Sequence, residues 1–222
     1  MGQQPEALSL GYLINQGLIS SIGDVKSITV DWETNASAIV LEKNMKIRKE
    51  FLNEKTVTSG CGQGTMFGNL MEKIEKSRLS DKTRISEKDL YHLLNLLSSQ
   101  QTVYKISGAV HGCALLNSDG IIYFHEDVGR HNAVDTIAGK MWLDDTCGLD
   151  KFFYTTGRLT SEMVIKCAQM QIPILISRSG VTHMGWKIAQ QINLTMIARA
   201  KGKHFLLFTG EDRFSFDGSN YE

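Results

Sequence analysis

Hydrophobic positions along this 222-residue chain fall into two regimes, a short mixed region followed by regular alternation of apolar runs and amphipathic stretches. Pro5-Glu-Ala-Leu opens a helix, with proline in the first turn and apolar residues at Leu8, Tyr12, Leu13 and Ile14. Gly17 and Gly23 punctuate its end. Two strands are predicted over residues 25–31 and 36–41, joined by the polar turn Glu33-Thr34-Asn35, and a third over residues 45–51. Ser86 with Asp89 three positions on reads as a capped helix start, followed by the stripe Leu90, Leu93, Leu94 and Leu97.

Beyond residue 103 the apolar runs shorten and β-type patterning takes over. Residues 110–116 and 121–124 flank Asn117-Ser-Asp-Gly120, a hairpin turn by its chemistry. Helical periodicity over 132–141, 161–170 and 182–192 alternates with strands at 152–155, 172–176, 194–198 and 205–208. This predicts an α/β fold with a mixed, largely parallel sheet flanked by helices, preceded by a small α+β section. The division expected is residues 1–57 for that section, 58–82 for a cysteine loop and linker, and 83–222 for the main domain.

Composition narrows the classes. Lys plus Arg and Asp plus Glu number 24 each, so no bulk charge points to nucleic acid or a membrane surface. No apolar run approaches the roughly 20 residues that span a bilayer, and the first ten residues do not read as a secretory signal. The four cysteines, Cys61, Cys113, Cys147 and Cys167, form no C-x-x-C pair or disulfide framework, which fits a reducing, cytoplasmic setting. Cys147 and Cys167 read as small buried hydrophobes.

Cys61 differs. It lies in Thr58-Ser-Gly-Cys-Gly-Gln-Gly-Thr65, too rich in glycine to be core. Glycines let backbone amides turn toward the sulfur and favour the thiolate, the nucleophilic form, although an incidental loop cysteine fits the residue types equally well. Three strand ends then repeat one pattern of turn, arginine and helix start: His125-Glu-Asp-Val-Gly-Arg-His-Asn132, Tyr154-Thr-Thr-Gly-Arg158 and Ser177-Arg-Ser-Gly180. Ligands of open α/β sheets bind at such ends, and helix N-termini favour anions. Arg130, His131, Asn132, Arg158, Ser177 and Arg178 are therefore candidates for holding a large phosphate-bearing ligand. The alternative is a network of caps and internal ion pairs. Arg199-Ala-Lys-Gly-Lys-His204 adds a basic turn, which alone would read as a solvated hairpin loop. A zinc site is not expected, since the H-x-E and C-x-x-C of zinc deaminases are missing.

Four segments together, Thr58-Ser-Gly-Cys61, Glu126-Asp-Val-Gly-Arg-His-Asn-Ala-Val-Asp135, Gly157-Arg-Leu-Thr-Ser-Glu-Met163 and Ile174-Leu-Ile-Ser-Arg-Ser179, resemble the FdhD family, sulfurtransferases needed to mature formate dehydrogenases. The resemblance runs from about Glu6 to Thr209. It implies a main domain similar to the cytidine deaminase fold without its zinc. It implies persulfide sulfur taken from a cysteine desulfurase on Cys61. It also implies delivery to a molybdenum bis(molybdopterin guanine dinucleotide) cofactor, held as substrate, for the formate dehydrogenase catalytic subunit. The family's cofactor-binding segment falls on Arg199, Ala200, Lys201, Gly202, Lys203 and His204, and a homodimer is the assembly it suggests. The family commonly has C-x-x-C in the loop; here Gly64 replaces the second cysteine, leaving Cys113 as a thiol that could approach it. The chain starts close to its first helix, whereas family members usually carry an additional N-terminal stretch. Two other readings stand beside the sulfur carrier: a non-catalytic cofactor-binding chaperone and, more remotely, a nucleotide hydrolase or deaminase.

Overall fold

The computed structural model describes residues 3–42, 79–100 and 103–217. The strand expected at 45–51 lies outside them. The N-terminal helix α1 (Pro5–Asn15) leads into a hairpin of β1 (Val25–Asp31) and β2 (Ala36–Leu41), paired antiparallel. Asn35 takes the left-handed conformation at its turn, with φ 54°. Later come β3 (Ile85–Ser86), α2 (Glu87–Gln100), α3 (Val103–Ser107), β4 (His111–Asn117), β5 (Gly120–Asp127) and α4 (Arg130–Leu143). The remainder is β6 (Phe152–Thr155), α5 (Ser161–Gln169), β7 (Ile174–Ser177), α6 (His183–Gln191), β8 (Thr195–Lys201), β9 (His204–Thr209) and β10 (Phe214–Ser215).

The main sheet has the order β5-β4-β6-β7-β8-β9. Its centre, β6-β7-β8, is parallel, and antiparallel strands close it on both sides. The parallel part expected for the second half is thus this centre. The antiparallel edges follow from short connections, since a two-residue turn cannot join parallel neighbours.

Both faces of the sheet are covered, and the period-two alternation of strand side chains sorts them. Cys113, Leu115, Phe153, Leu175, Met196 and Ala198 point into one core with α4, α5 and α6. Ala114, Leu116, Phe152, Tyr154, Ile174, Ile176 and Ile197 point into the other, against the leucine stripe of α2. That stripe is the expected one: Leu90, Leu93, Leu94 and Leu97 are all buried. Its start is capped as the sequence predicts, with the Asp89 amide donating to Ser86 Oγ at 3.0 Å and Asp89 Oδ2 accepting from the Ser86 amide at 3.3 Å.

Helix α1 docks on α4, and the apolar positions read from its sequence are only partly those it buries. Ala7, Leu10, Gly11 and Ile14 face inward, while Tyr12 is exposed. The reason is a close crossing at paired glycines. A Cβ on Gly11 would lie 1.8 Å from the Asp135 carbonyl oxygen, and one on Gly139 would lie 1.8 Å from that of Ala7. The backbones pack against each other directly, and Asn15 at the end of α1 donates to Asp135 Oδ1 at 2.7 Å.

Candidate functional site

The C-terminal ends of β6, β7 and β8 lie at one end of the sheet, as parallel pairing requires. The antiparallel β4 begins at that same end, because Cys113 is opposite Thr155. His111, the turn after β6 and the turn after β7 are thereby brought together. They line a cleft of about 500 Å3 with Tyr104 and Gly108 of the α3 region.

Each wall has a local cause. Helix α3 buries none of its own residues. It is held by the buried carboxylate of Glu126, whose two oxygens accept the amides of Val103 and Tyr104, both at 2.9 Å. Arg178 lies over the Tyr104 ring, 5.4 Å from its centroid, within range of a cation–π contact. Thr156 Oγ1 accepts from the Gly112 amide at 3.0 Å and lies 3.4 Å from His111 Nδ1. Burial, and after it the charge of Arg130, push the His111 pKa below the usual imidazole value. Arg130 stands just behind this wall: a Cβ on Gly157 would meet its Cδ at 3.0 Å.

The candidate residues read from the sequence divide. Arg178 lines the cleft, Arg130 backs it, and Arg158 is exposed on the turn after β6. Asn132 holds its own loop: Asp127 Oδ1 accepts from Asn132 Nδ2 at 3.2 Å and from the Gly129 amide at 2.8 Å. Ser177 is fully buried; its hydroxyl donates to the Gly157 carbonyl at 2.7 Å and accepts from Ser179 at 2.8 Å. It ties the two turns together, which corrects the expectation that its side chain faces a ligand. His131 is also buried, with Nε2 3.2 Å from Glu162 Oε2, on the helix side of the sheet rather than in the cleft.

The basic segment forms the β8–β9 hairpin at the same end of the sheet. Arg199, Lys201, Gly202, Lys203 and His204 are exposed. Ala200 is a correction: it is buried and belongs to the core beneath α2. Arg199 has a left-handed backbone, φ 52°, in a stretch of irregular register, and its amide donates to Ser179 at 2.9 Å. Its Nη2 would sit 3.8 Å from a Cβ on Gly180. Cleft and hairpin therefore share the turn after β7. Tyr91 packs behind Lys203: its hydroxyl donates to Glu87 Oε1 at 2.6 Å and lies 3.2 Å from the Lys203 carbonyl.

Next to the cleft lies a buried ionic cluster that sequence reading did not single out. Asp135 accepts from Lys166 Nζ at 2.7 and 2.8 Å and from Asn15, and His131 and Glu162 lie one turn before them on α4 and α5. Burial raises the Asp135 pKa against the opposing pull of Lys166. Burial, then Lys166 and Arg130, depress that of His131 to about 4. The spacing i, i+4 of charged residues inside the apolar runs of two helices was the available signal.

Cys61 lies outside the described residues. Among the other thiols, Cys113 is buried, donates to Thr155 Oγ1 at 3.3 Å and has its pKa pushed up to about 12, chiefly by burial. Burial likewise raises Cys167. Cys147 is exposed, contrary to its reading as core, because it sits in the loop between α4 and β6. Among the described residues no group of three or more His, Cys, Asp or Glu side chains is placed to hold a metal, and no helix is long and apolar enough to cross a membrane.

Comparison with known proteins places this geometry in a family. The chain is 35% identical over 209 residues to the sulfur carrier protein FdhD of Saccharolobus solfataricus, covering 93% of this chain and 78% of that one. It is 30% identical over 208 residues to the sulfur carrier protein FdhD of Wolinella succinogenes, with 94% and 72% covered. A crystal structure of a formate dehydrogenase accessory protein from Desulfotalea psychrophila matches with a TM-score of 0.75 at 26% identity, over 96% of this chain and 80% of that one. The model of the FdhD/NarQ family matches residues 1–215, and the chain belongs to that family.

Proposed function

We propose that the protein is a sulfur carrier that serves formate dehydrogenase maturation as a sulfurtransferase. The observation that carries this reading is the family match over residues 1–215, which takes in Cys61, the cleft and the basic hairpin together. In this reading the Cys61 thiolate attacks the sulfane sulfur of a cysteine desulfurase persulfide. The desulfurase cysteine leaves as thiolate, and Cys61 retains the persulfide. That sulfur is then passed to a molybdenum bis(molybdopterin guanine dinucleotide) cofactor bound as substrate, before the cofactor enters the dehydrogenase.

The sheet end supplies what such a ligand needs. Arg178 and Arg199 flank the turn after β7, and guanidinium groups match phosphate oxygens in charge and geometry. Lys201, Lys203 and His204 extend that basic surface, and Arg130 backs it. The three-layer domain is read as the cytidine-deaminase-like arrangement, acting in the cytoplasm as a homodimer, with no metal of its own. Cys113 is buried with its pKa pushed up, which argues against it as the second thiol of the relay and supports the reading of Cys61 as the sulfur-bearing residue.

Replacing Cys61 by alanine should abolish formate dehydrogenase activity in a complementation assay while guanosine diphosphate binding persists. Normal activity in that variant would sink the proposal. Gly64, standing where the family commonly has a second loop cysteine, favours one competing reading, a non-catalytic cofactor chaperone. Mass spectrometry after incubation with a desulfurase and cysteine separates the two. A one-sulfur adduct on Cys61 supports transfer, and an unmodified Cys61 supports the chaperone.

A further inference from the structure

We infer that His111 is a ligand-binding residue of the cleft, presenting an Nε2–H donor that Thr156 holds in place. This rests on the reading of the cleft as a nucleotide-bearing site.

The argument begins with one hydroxyl. Thr156 Oγ1 accepts the Gly112 amide at 3.0 Å. That hydroxyl keeps its proton and a second lone pair, and we assign the proton to His111 Nδ1, 3.4 Å away. When Nδ1 accepts, the ring proton of a neutral imidazole is on Nε2. Thr156 is itself anchored, because its amide donates to the Gly112 carbonyl at 2.9 Å. The pair is therefore a fixed unit across β4 and the turn after β6. Thr156 is the one hydrogen-bond partner of the His111 ring among the described residues.

Charge selects the same state. Arg130 lies close enough to lower the His111 pKa, adding to the effect of burial, and Arg178 lines the same cleft. An imidazolium there would add a third positive charge to two guanidinium groups. A neutral ring adds a directed donor instead. The cleft then offers three different recognition elements: a cation at Arg178, an aromatic surface at Tyr104 and a neutral N–H at His111. That set suits a ligand carrying both an anion and an uncharged acceptor oxygen. The cation alone would accept any anion, so His111 is the element that discriminates.

The test uses the full chain and guanosine 5′-diphosphate, followed by calorimetry at neutral pH. His111→Leu should weaken binding roughly three- to tenfold, the worth of one hydrogen bond. His111→Gln, which restores a donor near the Nε2 position, should bind within about threefold of the parent. Arg178→Ala provides the control on the site itself. If Arg178→Ala loses affinity and His111→Leu does not, this inference fails while the reading of the cleft survives. If Arg178→Ala binds as the parent does, or the parent binds no nucleotide, the reading of the cleft fails and the inference with it. A readout independent of ligand is the nitrogen chemical shift pair of the His111 ring. The Nε2–H form in the parent, mixed tautomers in Thr156→Val and the Nε2–H form again in Thr156→Ser are expected. An Nδ1–H or doubly protonated ring at neutral pH in the parent would overturn the assignment.

Discussion

Two polar clusters lie within one layer of each other and have opposite character. The helix-side cluster, Asn15, His131, Asp135, Glu162 and Lys166, is buried, and its members pair with one another. The cleft cluster, Tyr104, His111, Thr156 and Arg178, is half-open and turns part of its donor capacity toward solvent. Each contains one histidine with a depressed pKa, for the same first cause, burial. The difference is in the partners. His131 meets a carboxylate supplied by the fold, whereas His111 meets a hydroxyl that orients it and leaves its other nitrogen for something else. Polar residues at strand ends are thus not one class: those that find partners inside the protein stabilise it, and those that do not are available to a ligand.

Three perturbations sharpen this contrast. The largest effect is expected from Lys166→Ala, which leaves the Asp135 carboxylate buried without its cation. Breaking one side of a buried pair costs about 3–5 kcal/mol. Urea denaturation should show a lower midpoint, and the double variant Asp135→Leu with Lys166→Met should lose less than Lys166→Ala alone. A loss under about 1 kcal/mol would mean the cluster is wetter than its burial indicates.

Next comes acidification. The His131 pKa in the folded protein, about 4, is below its unfolded value of 6.5. The unfolded chain therefore binds more protons in between, and stability present above pH 6.5 is lost as the pH falls toward 4. The contribution is at most roughly 3 kcal/mol. His131→Gln, which keeps a neutral donor, should flatten the dependence of the thermal midpoint on pH across that window; an unchanged slope would assign it to other groups. The smallest effect is expected at the cleft: Arg178→Ala should change unfolding free energy by no more than about 0.5 kcal/mol. A large loss of stability there would erase the distinction between the two clusters.

How much of this was legible in the sequence varies with range. The strands of the sheet read as apolar runs, but their burial on both faces leaves the two core faces to be assigned by pairing; the Ser86–Asp89 cap and leucine stripe of α2 stand where local rules put them. Helix α3 was not legible, since five residues with no buried side chain form a helix only because Glu126, more than twenty positions away, accepts their first amides. The cleft was half legible. Arg178 belongs to a recognisable strand-end turn, but His111 and Tyr104 join it only through the antiparallel pairing of β4 with β6 and the anchoring of α3. Ser177 and Ala200 were misread for a simpler reason: a motif gives residue type and spacing, and the inward or outward side of each position is decided by register.

The close crossing of α1 over α4 has a consequence for biogenesis. Asn15 waits for Asp135, and Asp135 for Lys166, so the network that α1 joins is complete only after α5 has left the ribosome. At ordinary elongation rates that interval is on the order of ten to thirty seconds. During it Leu10 and Ile14 have the nearby Ile19, Val25, Ile28 and Leu41 to pack against, but lack Trp142 of α4. The Gly11 and Gly139 contact admits no side chain between the two backbones, so α1 cannot settle by degrees. Its docking on α4 therefore comes late, however early the helix itself forms.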